Sequence, residues 1–311
     1  MARALVVVAD GAGVDAARDA AILAGAERGI VREASVVAGG ATAEAFVREA
    51  SRRGNPGLGL HLDLTDGHAQ AGRHFTLTDA AGRFLGDPRE TWRRGVNGEI
   101  DAAEVERETV AQWRRLEALG ARPTHLDALH HVHVMPASLS GVLRALAYLG
   151  AAVHVRIPAE ADPPADAPRV TAPQVPLGTV VLPRMRLAQA RAGHGGLASL
   201  GAHADVARHA VAPPLWSSEG FTGLAFDLDP GAYLARASLR AAQGSVVEWM
   251  VRPREREVGA PPAASERGAR LFAFLTDPET PGLVAAEGFR LATFSDAREE
   301  GPRSGAAARR G

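Results

Sequence analysis

Cysteine and lysine are both absent from this chain of 311 residues. Without thiols there is no disulfide, no zinc–thiolate site and no iron–sulfur cluster, so any bound metal must rest on His, Asp or Glu. With no lysine, every basic side chain is an arginine. Together with the abundance of alanine and glycine, this reads as a coding bias rather than a functional signal. An excess of either charge is also lacking. The formal net charge is −1 and the sequence pI about 6.8, so no basic field for nucleic acid exists. Long apolar runs are missing as well. The N-terminal Leu5-Val-Val-Val8 is too short for the core of a signal peptide and soon meets Asp10, and no stretch approaches a membrane span. These absences predict a cytoplasmic protein with no nucleic-acid partner and no membrane span.

What is present is enough apolar material for a substantial core, 46% of the residues. Short apolar runs alternate with amphipathic stretches. Strands are predicted at 4–9, 34–37, 58–64, 124–127, 152–157, 221–226, 245–251 and 290–294. Helices are predicted at 15–28, 42–53, 102–119, 137–149, 197–212, 230–242 and 266–275. The helix at 102–119 has Asp101 as N-cap, Glu104 placed for a capping box, and Val105, Val110, Trp113 and Leu116 on one stripe. The repeated order predicts an α/β fold, a (β/α) barrel-like arrangement of seven or eight parallel strands with surrounding helices. Chemistry in such a fold gathers at the C-terminal strand ends. A single domain over 1–300 and a disordered tail at 301–311 are expected, with pattern-poor loops at 66–99 and 159–183.

The densest chemical signal is Pro123-Thr-His-Leu-Asp-Ala-Leu-His-His-Val-His-Val-Met-Pro136. It holds four of the chain's eleven histidines within nine residues, beside Asp127. In an extended segment His125, Asp127, His131 and His133 would share one side. Histidine is both a common metal ligand and the side chain that titrates nearest neutrality. The stretch predicts a metal or acid–base site. His61 lies in a second polar alternation with Asp63 and Thr65, and Asp10 ends the first strand as a base, a ligand or a helix cap. Gly11-Ala-Gly-Val-Asp-Ala16 has the form of a dinucleotide-binding turn, with Glu33 near the place of a ribose-binding acid. That supports a third reading, an oxidoreductase.

Three blocks resemble the YdjC-like carbohydrate deacetylases, a group that includes chitooligosaccharide deacetylase and hopanoid-associated members. Val8-Ala-Asp-Gly-Ala-Gly-Val14 stands where the family usually reads N-A-D-D-F-G-L. Gly59-Leu-His-Leu-Asp-Leu-Thr-Asp-Gly67 stands against G-L-H-L-N-L-T-E-G, and the histidine run against P-T-H-x-D-S-H-H-H-V-H-L-L-P. Weaker similarity continues through Val155-Arg-Ile-Pro158 and through Glu248-Trp-Met-Val-Arg-Pro253, where the family has E-L-M-x-H-P-G. The resemblance implies a barrel-like fold and metal-assisted hydrolysis of an N-acetyl group on an amino sugar, with an aspartate as base and a histidine as acid. Three site positions depart from the pattern. Gly11 and Leu129 stand at ligand positions without a donor atom, and Arg252 replaces the histidine of the H-P-G element.

The expected site therefore has Asp10 as catalytic base. His61, His131, His133 and Asp127 are expected around a divalent metal, magnesium or zinc, and Arg156, Arg252 and His125 on the substrate. Gly11 and Leu129 leave open a metal-free protein. The first reading is a metal-dependent deacetylase-like hydrolase acting on a small amino sugar derivative or related amide. The alternative is a degenerate or repurposed member that binds a sugar-like or anionic ligand. A homodimer is left open.

Overall fold

The apolar run near the N-terminus becomes the central strand of a curled parallel sheet. A computed structural model describes residues 2–158, 160, 215–224, 230–255 and 262–299. In chain order its strands are β1 (Arg3–Ala12), β2 (Glu33–Val36), β3 (Gly57–Leu62), β4 (His125–Ala128), β5 (His154–Val155), β6 (Gly220–Thr222), β7 (Val246–Val251) and β8 (Phe289–Leu291). The sheet order is β5-β4-β3-β2-β1-β7-β6, and every strand pairing is parallel. β8 lines the first residues of β1 on the edge that β2 takes over from Val8 onward. Two isolated parallel bridges, His154 to Trp216 and Glu160 to Phe221, join the β5 side of the curl to the β6 side. The fold is a (β/α) barrel-like arrangement of parallel strands.

The helices between strands are α1 (Ala16–Arg28), α2 (Ala43–Arg53), α3 (Pro88–Val96), α4 (Ala102–Ala118), α5 (Pro136–Leu149), α6 (Ala232–Ala241), α7 (Pro262–Thr276), α8 (Thr280–Ala286) and α9 (Phe294–Glu299). α1 starts at Asp15, whose side chain accepts from the Arg18 N–H, and α5 stops at Gly150 in the left-handed region. Strands β1, β2 and β4 are buried along almost their whole length, as expected for strands covered on both faces. α4 buries Val105, Trp113 and Leu116 from its predicted stripe, against α5 and the sheet.

Three features differ from the sequence reading. The 66–99 segment contains α3, which starts on Asp87 and Pro88 and carries three arginines and Glu90, which hide its short apolar face. The capping box at α4 does not close. Asp101 caps the Ala103 N–H, but Glu104 turns away and accepts from the N–H groups of Phe75 and Thr76. The histidine run is not extended beyond Ala128. A short 3-10 helix (Leu129–Val134) comes directly after β4, with His130 and His131 both at left-handed φ, +53° and +56°. The predicted helix at 197–212, the 301–311 tail and nearly all of the 159–183 loop lie outside the described residues. Among the described residues no helix is long and apolar enough to cross a membrane.

Candidate active site

Alternation along parallel strands sends a set of polar side chains into the interior of the curl. Asp10 comes from β1, Ser35 from β2, His61 from β3, His125 and Asp127 from β4, and Glu248 from β7. Arg156 comes directly after β5. All are buried. Register brings them together. Asp10 is opposite Ser35, and His61 is opposite Asp127.

Arg156 is the hub. Its two terminal nitrogens each lie 2.7 Å from one oxygen of Asp10. The same guanidinium reaches Asp127 Oδ2 at 2.6 Å and donates from Nε to Glu248 Oε1. One guanidinium thus serves three carboxylates, so the cluster is rich in negative charge when all are ionised. That charge imbalance separates the acids. Burial, with the nearby Asp127 charge, raises the Asp10 pKa against the pull of Arg156, and burial raises Glu248 to about 7. Arg156 and His61 hold Asp127 well below the usual carboxylate range.

His61 Nδ1 lies 2.6 Å from Asp127 Oδ1. With Asp127 ionised, the hydrogen of this contact is on Nδ1, and a ring carrying that one hydrogen presents its lone pair at Nε2. A carboxylate behind a histidine is the arrangement that orients metal-bound imidazoles. Asp10, His61 and Asp127 are the one group of donor side chains among the described residues compact enough for a metal ion, with ligand atoms all within 4.8 Å of one another. Their chemistry, two carboxylates and one imidazole, suits a hard or borderline divalent cation. The excess negative charge favours it too. The residues fit such an ion.

Of the other expected site residues, Arg156 and His125 are each only 1% exposed, and their polar atoms are committed to protein partners. His133 Nε2 donates to the Arg156 carbonyl at 2.9 Å. His131 sits edge-on to Phe221, with Nδ1 buried and unpartnered. Both stand outside the compact donor group, because the chain turns into the 3-10 helix after Ala128. Burial and the charge of Arg156 keep His131 neutral. Arg252 lies just past β7 at the surface, where its charge acts on His130 and His131.

Gly11 occupies a bulge in β1 at φ +83°, and an ideal Cβ there would lie 2.7 Å from Arg18 Nη1. A cation therefore stands beside the position where the family resemblance implies an acidic ligand. Glu33 cannot be a ribose-binding acid. It begins β2 at the N-terminal end of the barrel, whereas a dinucleotide turn sits at the C-terminal ends of the strands.

Sequence reasoning passed over Ser35 and Glu248 as members of the cluster. Ser35 donates to Asp127 Oδ2 at 2.8 Å, and Glu248 pairs with Arg156. The available signal was a single polar residue inside an otherwise apolar strand, in Ala34-Ser35-Val36 and in Val247-Glu248-Trp249.

A carbohydrate deacetylase of Brevibacillus brevis is 36% identical over 142 residues, covering 45% of this chain and 54% of the relative. A carbohydrate deacetylase of Mus musculus is 35% identical over 161 residues, covering 50% and 51%. The chain therefore spans about half the length of the curated relatives it matches. A solved structure from Enterococcus faecalis V583, described as that of a candidate cellobiose-phosphate cleavage protein, superposes with a TM-score of 0.65. It covers 95% of this chain and 98% of its own at 18% identity, a likeness of fold alone. The family model described as YdjC-like protein matches residues 4–286, nearly the whole chain, and the chain belongs to that family.

Proposed function

We propose that this protein is a hydrolase of the carbohydrate deacetylase type, acting on the N-acyl group of an amino sugar or related amide. The observation that carries the reading is the buried Asp10–His61–Asp127 group beside Arg156. In this reading Asp10 and the Nε2 of His61 would hold a divalent cation, magnesium or zinc, with Asp127 behind the imidazole at Nδ1. The cation would polarise the amide carbonyl and acidify a water. The two aspartates divide the remaining work. Asp127 stays ionised and orients His61, leaving Nε2 as the open lone pair. Asp10, pushed upward by burial and held in place by Arg156, is the carboxylate suited to accept a proton. The ligand set is this chain's own, since Gly11 and Leu129 offer no donors.

A second reading is favoured by one observation. Arg18 lies against Gly11, where an acidic ligand would stand in the family pattern. A protein without a cation, binding an anionic saccharide near Arg18 and Arg252, would match that feature. One experiment separates the two. The protein is stripped with chelator and offered magnesium or zinc. Bound metal is measured, along with acetate released from a panel of N-acetylated sugars. The hydrolase reading expects stoichiometric uptake that His61→Ala abolishes, and metal-dependent acetate release. No uptake and no acetate, with retained binding of a phosphorylated or carboxylated sugar, would replace it with the second reading.

A further inference from the structure

An unbroken line of short contacts runs from the N-terminal end of the barrel to the Asp127–His61 pair. Glu33 Oε2 lies 2.8 Å from Thr124 Oγ1. Thr124 Oγ1 lies 2.9 Å from His125 Nδ1. His125 Nε2 lies 2.9 Å from Ser35 Oγ, and Ser35 Oγ 2.8 Å from Asp127 Oδ2. Asp127 Oδ1 then meets His61 Nδ1. Two glycines of β3 open the space. A Cβ on Gly57 would collide with the Glu33 carboxyl, and one on Gly59 would lie 2.4 Å from the His125 ring.

Counting hydrogens settles the direction of each bond. Ionised Asp127 only accepts, so the single hydroxyl hydrogen of Ser35 goes to it. Ser35 must then accept from His125, and the hydrogen of the neutral ring is on Nε2. Nδ1 is left as an acceptor, and the hydroxyl of Thr124 must supply it. That hydroxyl has one hydrogen, and the Leu58 carbonyl at 3.1 Å is the longer contact and already accepts the Thr124 N–H at 2.7 Å. Thr124 therefore has no hydrogen left for Glu33. The contact at 2.8 Å is a hydrogen bond only if Glu33 is the donor.

We propose that Glu33 is a buried carboxylic acid whose hydrogen starts a one-way relay of hydrogen bonds through Thr124, His125 and Ser35. On this proposal it is a positioning residue that keeps Ser35 turned toward Asp127 and so keeps His61 in its tautomer. The second Glu33 oxygen accepts from the Phe294 N–H at 2.9 Å, as the carbonyl of a neutral acid does. Burial pushes the Glu33 carboxyl up to about 7, which agrees with this state. The titratable groups that face it are Asp296 from α9 and, at 3.7 Å, the neutral His125 ring. When Glu33 gives its proton to solvent, the Thr124 hydroxyl must turn toward the carboxylate. The His125 hydrogen then belongs on Nδ1, and Ser35 donates to Nε2 instead of Asp127. The ring carries one hydrogen in both states; only the Glu33 proton is lost.

The catalytic consequence rests on the hydrolase reading, but the relay itself is tested without activity. Full-length protein with 15N-labelled histidine is examined by long-range proton–nitrogen correlation from about pH 6 to about pH 8.5, on either side of the raised Glu33 pKa, with infrared spectra of the wild type and Glu33→Gln. The relay expects the Nε2–H tautomer of His125 at the acidic end, inverting to Nδ1–H as Glu33 ionises. It also expects a neutral carboxyl band that Glu33→Gln removes. The glutamine amide donates to Thr124 at every pH, so in Glu33→Gln the tautomer stays on Nε2. If that variant does not fold, Thr124→Val, which cuts the same link, should leave the His125 tautomer indifferent to pH. An Nδ1–H tautomer at the acidic end, an unchanged carboxyl band, or inversion that persists in either variant overturns the relay. If acetate release is found, Ser35→Ala should lower kcat about tenfold with little change in KM, the scale of a lost orienting partner. Absent acetate release defeats the hydrolase reading and leaves these spectra to decide the relay.

Discussion

Arg156 clasps Asp10 with both terminal nitrogens, each 2.7 Å from a different carboxylate oxygen. The planar fork of a guanidinium matches a carboxylate in this way, and an ammonium does not. The same group also meets Asp127 and Glu248. Arg156→Ala would leave three buried carboxylates without their counter-charge, an expected loss on the order of 3–5 kcal/mol. Arg156→Lys keeps the charge but cannot span all three acids, so its denaturant midpoint should fall between the two. Equal midpoints for Arg156→Ala and wild type would show that the cation does not hold the barrel interior together.

Stability should depend on pH through two sets of groups of opposite sign. Burial lowers His125 to about 3 and His133 to about 4, and lowers His131 and His154 well below the usual value of 6.5. Between folded and unfolded values the unfolded chain binds more protons. The contribution of these histidines is thus complete above about 6.5 and lost as pH falls below it. Urea midpoints should drop steeply from about pH 6.5 to about pH 5, with proton uptake on unfolding. Glu33 acts in reverse. Its pKa rises from 4.5 to about 7, so its contribution is complete below 4.5 and lost as pH rises through 7. Glu33→Gln should therefore match the wild type near pH 5 and exceed it near pH 8, by at most about 3 kcal/mol. A constant difference between the two proteins across that range would remove Glu33 from the account.

The loop after β3 is pinned by acids on α4 as well as by the buried Leu64, Leu77 and Phe84. Glu108 accepts from the N–H groups of Gln70 and Ala71, from Gln112, and pairs with His74 at 2.9 Å. Glu104 holds Phe75 and Thr76 in the same way. Glu108→Ala should cost about 2 kcal/mol or more, since several bonds to one charged group are lost together. The loss should be local. Hydrogen exchange at the Gln70 and Ala71 amides should accelerate at least about tenfold while β1 amides keep their protection. Uniform acceleration through the molecule would mean that the loop and the barrel open as one unit.

The barrel-like fold was legible because strand and helix periods alternate cleanly, and because chemistry in such folds gathers at the strand ends. Asp10, His61 and Asp127 were found on that argument, and the structure brings these three together. The histidine run misled in part. Alternation assumes an extended chain, but the strand stops at Ala128, and two left-handed residues, His130 and His131, redirect the backbone toward α5. Arg156 was visible as a strand-end cation, yet its partners come from β1, β4 and β7, a convergence that depends on the closure of the curl. Helix α3 was hidden by its charged surface. Glu33 was misplaced because a turn motif was matched without asking which end of the barrel its acid would occupy.

Gly59 offers the sharpest steric test of the interior. An ideal Cβ there would come within 2.4 Å of three atoms of the His125 ring. The ring cannot step aside, because Thr124 holds one nitrogen and Ser35 the other. Nor can the backbone of β3, which is paired on both edges to β2 and β4. Gly59→Ala should therefore destabilise by about 1–3 kcal/mol through overpacking, although alanine is ordinarily no worse than glycine in a strand. In a His125→Ala background the clash has no partner, and the same substitution should be neutral or stabilising. The double-mutant cycle, read from urea midpoints, should then show a coupling of about 1 kcal/mol or more between the two positions. Additive effects would mean that the strand and ring relax independently, and that the close fit of β3 against His125 is not what fixes the ring between its two hydroxyl partners.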